Sequence, residues 1–239
     1  MKTIITFLFC LVSILNMEVV GQTFRDRLNN VTETQQDEEI SSRGKLDSIF
    51  PFSGKHRGYS YVDLGLPSGN LWATCNVGSS CDNVCGNVYA WGEVKTKSVF
   101  NQNNCSTLGI EASTFRCWDE NFDVVKARWG GDWESPESYD YQELIKNCKT
   151  QWLTSSKNGE SRIIGVKLIG PNENFIVFPI STSFNSYWGS DPYDDNGWGW
   201  NKWDAMAFGI DQSKCYTFTD KRWKGKYIRG IIKKRRKLK

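Results

Sequence analysis

Between residues 59 and 232 the apolar residues occur in short runs that Gly, Pro, Asn and Ser interrupt. Such runs between turn-forming residues are typical of strands and leave little room for long helices. We predict strands within residues 59–64, 70–78, 87–94, 150–160, 161–170, 174–180 and 204–211, and one or two within 214–232. The fold class that follows is α+β, mainly antiparallel strands with one or two helices and long loops.

Residues 135–148 carry the clearest helix signal in the chain. Ser135 is the predicted N-cap and Pro136 takes the first helical position. Glu137 falls in the first turn, where the helix dipole favours a carboxylate. A shorter helix is predicted near residues 120–127. A tight turn at Asn172-Glu173 is expected to join the two strands on either side of it.

The first 22 residues are typical of a secretory signal peptide. Lys2 precedes an apolar segment over residues 4–15, and Gly21 is a small residue suited to cleavage. Glu18 ends the apolar run before it reaches the roughly 20 residues that a membrane-spanning helix needs. We therefore expect a secreted protein, extracellular, on the cell surface or periplasmic, with no transmembrane segment.

Composition divides the exported chain into three parts. Residues 23–57 are polar and predict a linker or leader, residues 58–232 form the folded domain, and residues 233–239 are a basic tail. The last nine residues hold six cations, and taking these six from the net charge of +3 leaves about −3 for the rest. The tail either binds an anionic partner or only aids solubility. Nucleic acid is not an expected partner, because duplex binding needs a basic face on the domain.

Seven of the eight cysteines lie outside the signal peptide, and in an exported protein they favour disulfides over metal sites. The candidate pairs that would close small loops are Cys81 with Cys85 and Cys105 with Cys117. An odd number leaves at least one thiol free or paired between chains, and spacing does not determine the connectivity. A zinc site is not expected, because no second cysteine pair or nearby His completes the ligand set.

His56 is the one histidine of the chain, and a single histidine rules out a metal centre with several histidine ligands. A single histidine also rules out Ser-His-Asp and Cys-His catalysis unless His56 is itself the base. Since His56 lies just before the domain, we expect it to be solvated rather than catalytic. Glycoside hydrolysis by a pair of carboxylates stays an alternative, but no motif identifies which two of the 27 Asp and Glu residues would form the pair. We therefore expect a protein that is not an enzyme.

Five segments occur in the order YVDLGLPSGNLWATCNVG (61–78), YAWGEV (89–94), WGGDWESPESYDYQELIKNC (129–148), YWGS (187–190) and YIRGI (227–231). Together they resemble the Fibrobacter succinogenes major paralogous domain, a family of secreted Bacteroidetes proteins. The resemblance covers residues 59–231 and implies a C-type-lectin-like fold, in which ligands bind at a long loop region. Glu134 and Glu137 depart from the family's Arg and Thr at the start of the helix, which affects local packing rather than the fold.

The fold that this resemblance implies is shared with formylglycine-generating enzymes, which use a copper-binding cysteine pair. No matching pair can be placed near the carboxyl end of this chain, where Cys215 stands alone. Activity of that kind is therefore not expected, and the implication is limited to fold and compartment.

Residues 186–203, which we predict to be a loop, combine indoles with carboxylates and amides. A sugar needs a flat apolar face for its C–H groups and planar polar groups for its hydroxyls. The candidate ligand-binding residues are Asp191, Tyr193, Asp194, Asp195, Asn196, Trp198 and Trp200. Trp188 and Trp203 match strand positions of the family and are expected in the core. Asp191, Asp194 and Asp195 are also a weak candidate calcium site, and no other cofactor is expected.

These observations predict an exported, non-enzymatic module that binds a glycan or a surface protein through residues 191–202. A structural or assembly protein of the cell surface, such as a pilus-tip or matrix component, is the first alternative. A hydrolase or an enzyme of the formylglycine-generating kind is the second. The sequence determines neither the ligand nor the oligomeric state.

Overall fold

The structure, a computed structural model, describes residues 52–79, 85–111, 114, 119–157, 160–181, 185–193, 202–211 and 213–234. Within these residues eleven β-strands form three antiparallel sheets, and two α-helices pack against them. A mainly antiparallel fold with few helices agrees with the α+β prediction. None of the helices in the described ranges is long and apolar enough to span a membrane.

The largest sheet has five strands, β1 (Gly54–His56), β2 (Tyr59–Asp63), β3 (Leu71–Asn76), β4 (Trp133–Glu134) and β11 (Arg229–Ile232). Their order across the sheet is β1-β2-β3-β11-β4. Alternation along β2 and β3 sets Val62 opposite Trp72, and both side chains are fully buried. Strand β1 lies inside residues 23–57, so the sheet begins within the range that composition assigned to the linker.

Two three-stranded sheets complete the fold. One has the order β5 (Lys149–Lys157), β6 (Glu160–Ile169), β7 (Phe175–Pro179), and the other has β10 (Cys215–Lys221), β9 (Asp204–Ile210), β8 (Asn185–Pro192). The predictions of β5, β6, β7 and β9 are confirmed. The turn between β6 and β7 is also confirmed, because the Glu173 N–H donates to the Gly170 carbonyl oxygen over 3.0 Å.

Helix α1 (Val124–Trp129) matches the short helix predicted near residues 120–127. Its N-cap is Asp123, whose carboxylate accepts from the N–H groups of Val125 and Lys126 at 2.8 and 3.3 Å. This pairing satisfies donors that the first turn of a helix cannot satisfy itself.

Helix α2 (Ser138–Asn147) begins later than the sequence indicated. The predictions of Ser135 as N-cap and of Pro136 as the first helical residue are wrong, because Glu137 is the N-cap. The Glu137 N–H donates to Asp140 Oδ2 over 2.8 Å, which is the returning bond of a capping box. The Ser135 hydroxyl instead donates to a carboxylate oxygen of Asp123 over 2.7 Å.

Two other local predictions are wrong. Residues 87–94 are not a strand: Tyr89 makes an isolated bridge to Lys226, and the Trp91 N–H donates to the carbonyl oxygen of Arg222 over 2.9 Å. Their partners are therefore distant in sequence, and the local pattern gives no information about them. Residues 186–203 are not one loop, since β8 continues to Pro192.

Two apolar clusters form the core. One contains Tyr141 and Phe208, whose rings stack with centroids 4.7 Å apart and planes 3° from parallel. The other contains Trp133 and Trp188, both fully buried. Large aromatic side chains thus fill both clusters, as the 14% aromatic content suggested.

Candidate functional site

The segment that joins β8 to β9 carries most of the candidate ligand-binding residues. Five of these lie outside the described residues, namely Asp194, Asp195, Asn196, Trp198 and Trp200. The structure describes the two ends of the segment, residues 191–193 and 202–204, which we call the loop stem. Across the stem, the Tyr193 N–H donates to the carbonyl oxygen of Asp204 over 3.4 Å. The two ends are therefore held side by side.

Trp203 lies in the loop stem and is 47% exposed. The expectation that it belongs to the core is wrong, because nearly half of its surface faces solvent. Trp188 on β8 is in the core as expected, and its indole N–H donates to the Tyr89 carbonyl oxygen over 2.9 Å. Of the tryptophans in the described ranges, Trp203 alone is exposed.

Asp191 ties the loop stem to the first turn of α2. Its two carboxylate oxygens accept from the Ser138 N–H and the Ser138 hydroxyl, each over 2.6 Å. Burial raises the pKa of Asp191, and these two hydrogen bonds act in the opposite direction. Tyr193, the other candidate in the described part of the stem, is half-buried. A ligand contact by either residue stays a prediction.

Arg222 connects the loop stem to a neighbouring segment, residues 106–111. Its side chain is fully buried, and Nη1 donates to the carbonyl oxygens of Thr107 and Ile110 over 3.2 and 2.7 Å. Nε donates to the carbonyl oxygen of Asp204 over 3.2 Å. Burial lowers the pKa of Arg222 to about 10, so the guanidinium is charged at neutral pH. It lies 4.5 Å from the centroid of the Trp91 ring, which supplies a cation–π contact.

A small cavity of about 30 Å³ lies next to the stem, between β8 and the start of α1. Trp91, Trp188 and Ser190 line it together with Asp123 and Ser135. Asp123 accepts from the Ser135 N–H and hydroxyl over 2.8 and 2.7 Å, and burial still raises the pKa of Asp123 to about 6. A cavity of this size admits water rather than a sugar ring. We therefore assign Asp123 to the framework of the fold.

Lys233, the first residue of the predicted basic tail, lies among three carboxylates at the start of α2. Its Nζ is 3.4 Å from Glu134 and 3.5 Å from Asp140, and it donates to Glu137. Burial raises the pKa of Asp140 to about 6 although Lys233 acts in the opposite direction. The tail therefore begins as part of the domain, and residues 235–239 lie outside the described residues.

Metal and disulfide predictions concern residues that the structure describes only in part. In the described ranges, no group of three or more His, Cys, Asp or Glu side chains could hold a metal ion. Cys85 and Cys105 form no disulfide with another cysteine of the described residues. Their predicted partners Cys81 and Cys117 lie outside the described residues, as do two of the three candidate calcium ligands. The disulfide pairs and the calcium site stay predictions.

His56 is on β1, and its side chain is 31% exposed. Its Nε2 accepts from the Asp132 N–H over 3.1 Å and lies 3.7 Å from the carboxylate of the same residue. These contacts give His56 a local partner at the edge of the large sheet.

The sequence did not indicate the roles of Arg222, which contacts the loop stem, or of Lys233, which contacts the start of α2. Arg222 lies in residues 220–232, where cations alternate with aromatic and apolar residues, whereas Lys233 begins the basic run at the carboxyl end. Such alternation in a segment that pairs with strands predicts that some cations point inward. It is the local signal that could have indicated a buried Arg222.

A scan against protein-family models, a search of curated proteins and a search of solved structures each found no match. The family resemblance therefore rests on the five sequence segments alone.

Proposed function

We propose that this protein is an exported, non-enzymatic binding module with a C-type-lectin-like fold that recognises a glycan through residues 191–203. The signal-peptide pattern supports the compartment, and the mainly antiparallel sheets are compatible with the fold. The indole-rich, carboxylate-rich composition of the segment supports the choice of ligand.

The exposure of Trp203 carries the proposal. An indole that leaves 47% of its surface in water gives up part of the free energy that burial would supply. Trp198 and Trp200 precede it in a segment of Gly, Asn and Asp residues. A group of aromatic faces with polar side chains between them suits a ring that has both C–H faces and hydroxyls.

The anchoring of the loop stem supports binding as its function. Asp191 is bonded to α2 and Asp204 to Arg222, so both ends of the loop are fixed to the domain. A fixed stem lowers the conformational entropy that a ligand must remove when it binds.

A glycan array tests the proposal. The full chain, expressed with its own amino terminus and purified as the cell processes it, is screened against neutral and acidic glycans with calcium and with chelator. We expect selective binding that the Trp198→Ala, Trp200→Ala and Trp203→Ala substitutions remove. Loss of binding in chelator would add calcium to the site. A blank array with folded protein would contradict glycan recognition and favour a surface-protein partner or an assembly role.

A further inference from the structure

We infer that the recognition surface has a second part, residues 106–111, and that Arg222 is the positioning residue that holds this segment against the loop stem. The inference rests on the proposed function and adds a ligand class, an uncharged saccharide. It follows from contacts between two segments that are far apart in sequence.

Arg222 bonds to both segments through backbone groups. Its guanidinium donates to Thr107 and Ile110 on one side and to Asp204 on the other, at 3.2, 2.7 and 3.2 Å. Because the guanidinium is planar and rigid, it satisfies these carbonyl oxygens only when the two segments keep one relative position. The backbone N–H of Arg222 also donates to the carbonyl oxygen of Trp203 over 2.9 Å. Arg222 therefore bonds to the backbone of the residue that carries the exposed indole.

Two contacts join the segments without Arg222. The Gly109 N–H donates to the carbonyl oxygen of Lys202 over 3.0 Å, and Lys202 Nζ lies 3.2 Å from a carboxylate oxygen of Glu111. Residues 106–111 therefore lie along residues 202–204, the carboxyl-terminal part of the loop stem. Because Lys202 precedes Trp203 directly, we expect a ligand that covers Trp203 to reach this segment.

The polar groups at this junction indicate the ligand class. The side chains of Glu111 and Lys202 are 59% and 40% exposed, so their ion pair faces solvent. An ion pair carries no net charge but offers both N–H donors and carboxylate acceptors. We expect such a pair to suit neutral hydroxyl groups better than a sulfate or a carboxylate. The surface thus fits an uncharged saccharide.

Amide exchange and fluorine NMR test the positioning role without any ligand. The Arg222→Lys variant keeps the charge but loses the planar fork, and Arg229→Lys is the control, because Arg229 is equally buried and also bonds to carbonyl oxygens. With fluorotryptophan incorporated, a Trp203→Phe variant identifies the Trp203 signal. We expect Arg222→Lys to shift that signal and to speed Gly109 amide exchange about tenfold or more, since bonds to charged groups are the stronger ones.

The result that would overturn the positioning role is a Trp203 signal and a Gly109 exchange rate that stay unchanged in Arg222→Lys. Equal changes in Arg229→Lys would overturn it too, because they would show a general loss of stability. If Arg222→Lys does not fold, exchange in the wild-type protein decides. The amides of Gly109 and Arg222 should then open together, with the same dependence on low urea concentrations. Different dependences would contradict the inference.

Binding of defined saccharides tests the second contact region and the ligand class. The probes are neutral hexasaccharides of glucose, xylose, mannose and N-acetylglucosamine, with a sulfated hexasaccharide as the anionic counterpart. We expect a neutral probe to bind and Glu111→Ala to weaken it about tenfold, as the loss of a bond to a charged group predicts. Glu160→Ala, at an exposed glutamate on β6, should leave binding unchanged.

Binding of the sulfated probe alone would overturn the ligand class. Equal effects of Glu111→Ala and Glu160→Ala would overturn the second contact region. Absence of all binding by the wild-type protein would contradict the proposed function, whereas the exchange and fluorine results would still decide the positioning role of Arg222.

Discussion

At the scale of single residues, two tryptophans of the β8–β9 hairpin, Trp188 and Trp203, differ in how much of the side chain is buried. Trp188 lies within β8 and is 1% exposed, whereas Trp203 precedes β9 and is 47% exposed. The first is bound to the Tyr89 carbonyl oxygen through its N–H and packs in a core cluster. The second presents part of its ring to solvent. Their substitutions should therefore separate stability from binding.

We expect Trp203→Ala to lower the free energy of unfolding by about 1–2 kcal/mol, because only about half of its side chain is buried. Trp188→Ala should cost about 3–5 kcal/mol, because it leaves a cavity in the core. Urea denaturation of both variants measures the difference. A loss in Trp203→Ala as large as that in Trp188→Ala would return Trp203 to the core and remove it from the site.

Asp123 predicts a pH dependence of stability. Burial raises the pKa of Asp123 to about 6 in the folded protein, above its usual 3.8, so the folded state holds the proton more tightly than the unfolded state. The resulting stabilisation is complete below the lower pKa and is lost as the pH rises through about 6. The loss is about 2–3 kcal/mol.

Urea denaturation between pH 4 and pH 7 measures this decline. In Asp123→Asn the decline should be smaller by that amount, and Glu120→Gln, at an exposed glutamate, is the control. An identical pH dependence in wild type and Asp123→Asn would show that Asp123 does not titrate in this range.

At the scale of elements, Lys233 links the end of β11 to β4 and to the start of α2 through ion pairs. It follows β11 directly, and its three carboxylate partners come from β4 and the first turn of α2. Lys234 is a natural comparison, because its side chain is 58% exposed and lies 3.9 Å from Asp63. The neighbouring lysines therefore differ in burial and in the number of their acidic partners.

We expect Lys233→Met to lower the free energy of unfolding at pH 8 by about 2–3 kcal/mol, because it leaves partly buried carboxylates without their cation. The deficit should shrink at pH 5, since burial raises the pKa of Glu134 and brings that of Asp140 to about 6. Protonation then relieves the repulsion. Lys234→Met should be nearly neutral at both pH values. Equal losses in the two variants would contradict the assigned roles.

The same elements show what the sequence predicts and what it does not. Strands β5, β6 and β7 and the turn at Asn172-Glu173 follow from local apolar runs and turn residues, and so they were predictable. Residues 87–94 were wrongly predicted as a strand. They bond to Arg222 and Lys226, and no local sequence pattern indicates these distant partners. The start of α2 was misplaced for a related reason, because Ser135 bonds to Asp123 of another element instead of capping the helix.

The candidate site was predictable only in part. Its indole-rich composition is visible in the sequence, but which of the tryptophans is exposed depends on tertiary packing. The role of Arg222 depends on three carbonyl oxygens brought together by the tertiary structure. Interactions of this kind arise from packing between distant segments, and residue spacing carries no record of them.

At the scale of the whole molecule, the proposed function combines export with a loop stem fixed to a mainly antiparallel framework. The proposal of export depends on the first 22 residues. Expression in a secreting cell, followed by mass spectrometry of the purified protein, should give a chain that begins near residue 23. A product that retains residue 2 outside the cytoplasm would contradict a cleaved signal peptide and favour an uncleaved anchor.

Titration calorimetry of the best neutral glycan from the array tests the central claim most directly. The proteins compared are wild type, Trp203→Ala and Trp188→Phe, the last being a conservative change in the core. We expect wild type and Trp188→Phe to bind with similar affinity and Trp203→Ala to lose binding while it stays folded. Undiminished binding by folded Trp203→Ala would contradict recognition through the loop stem.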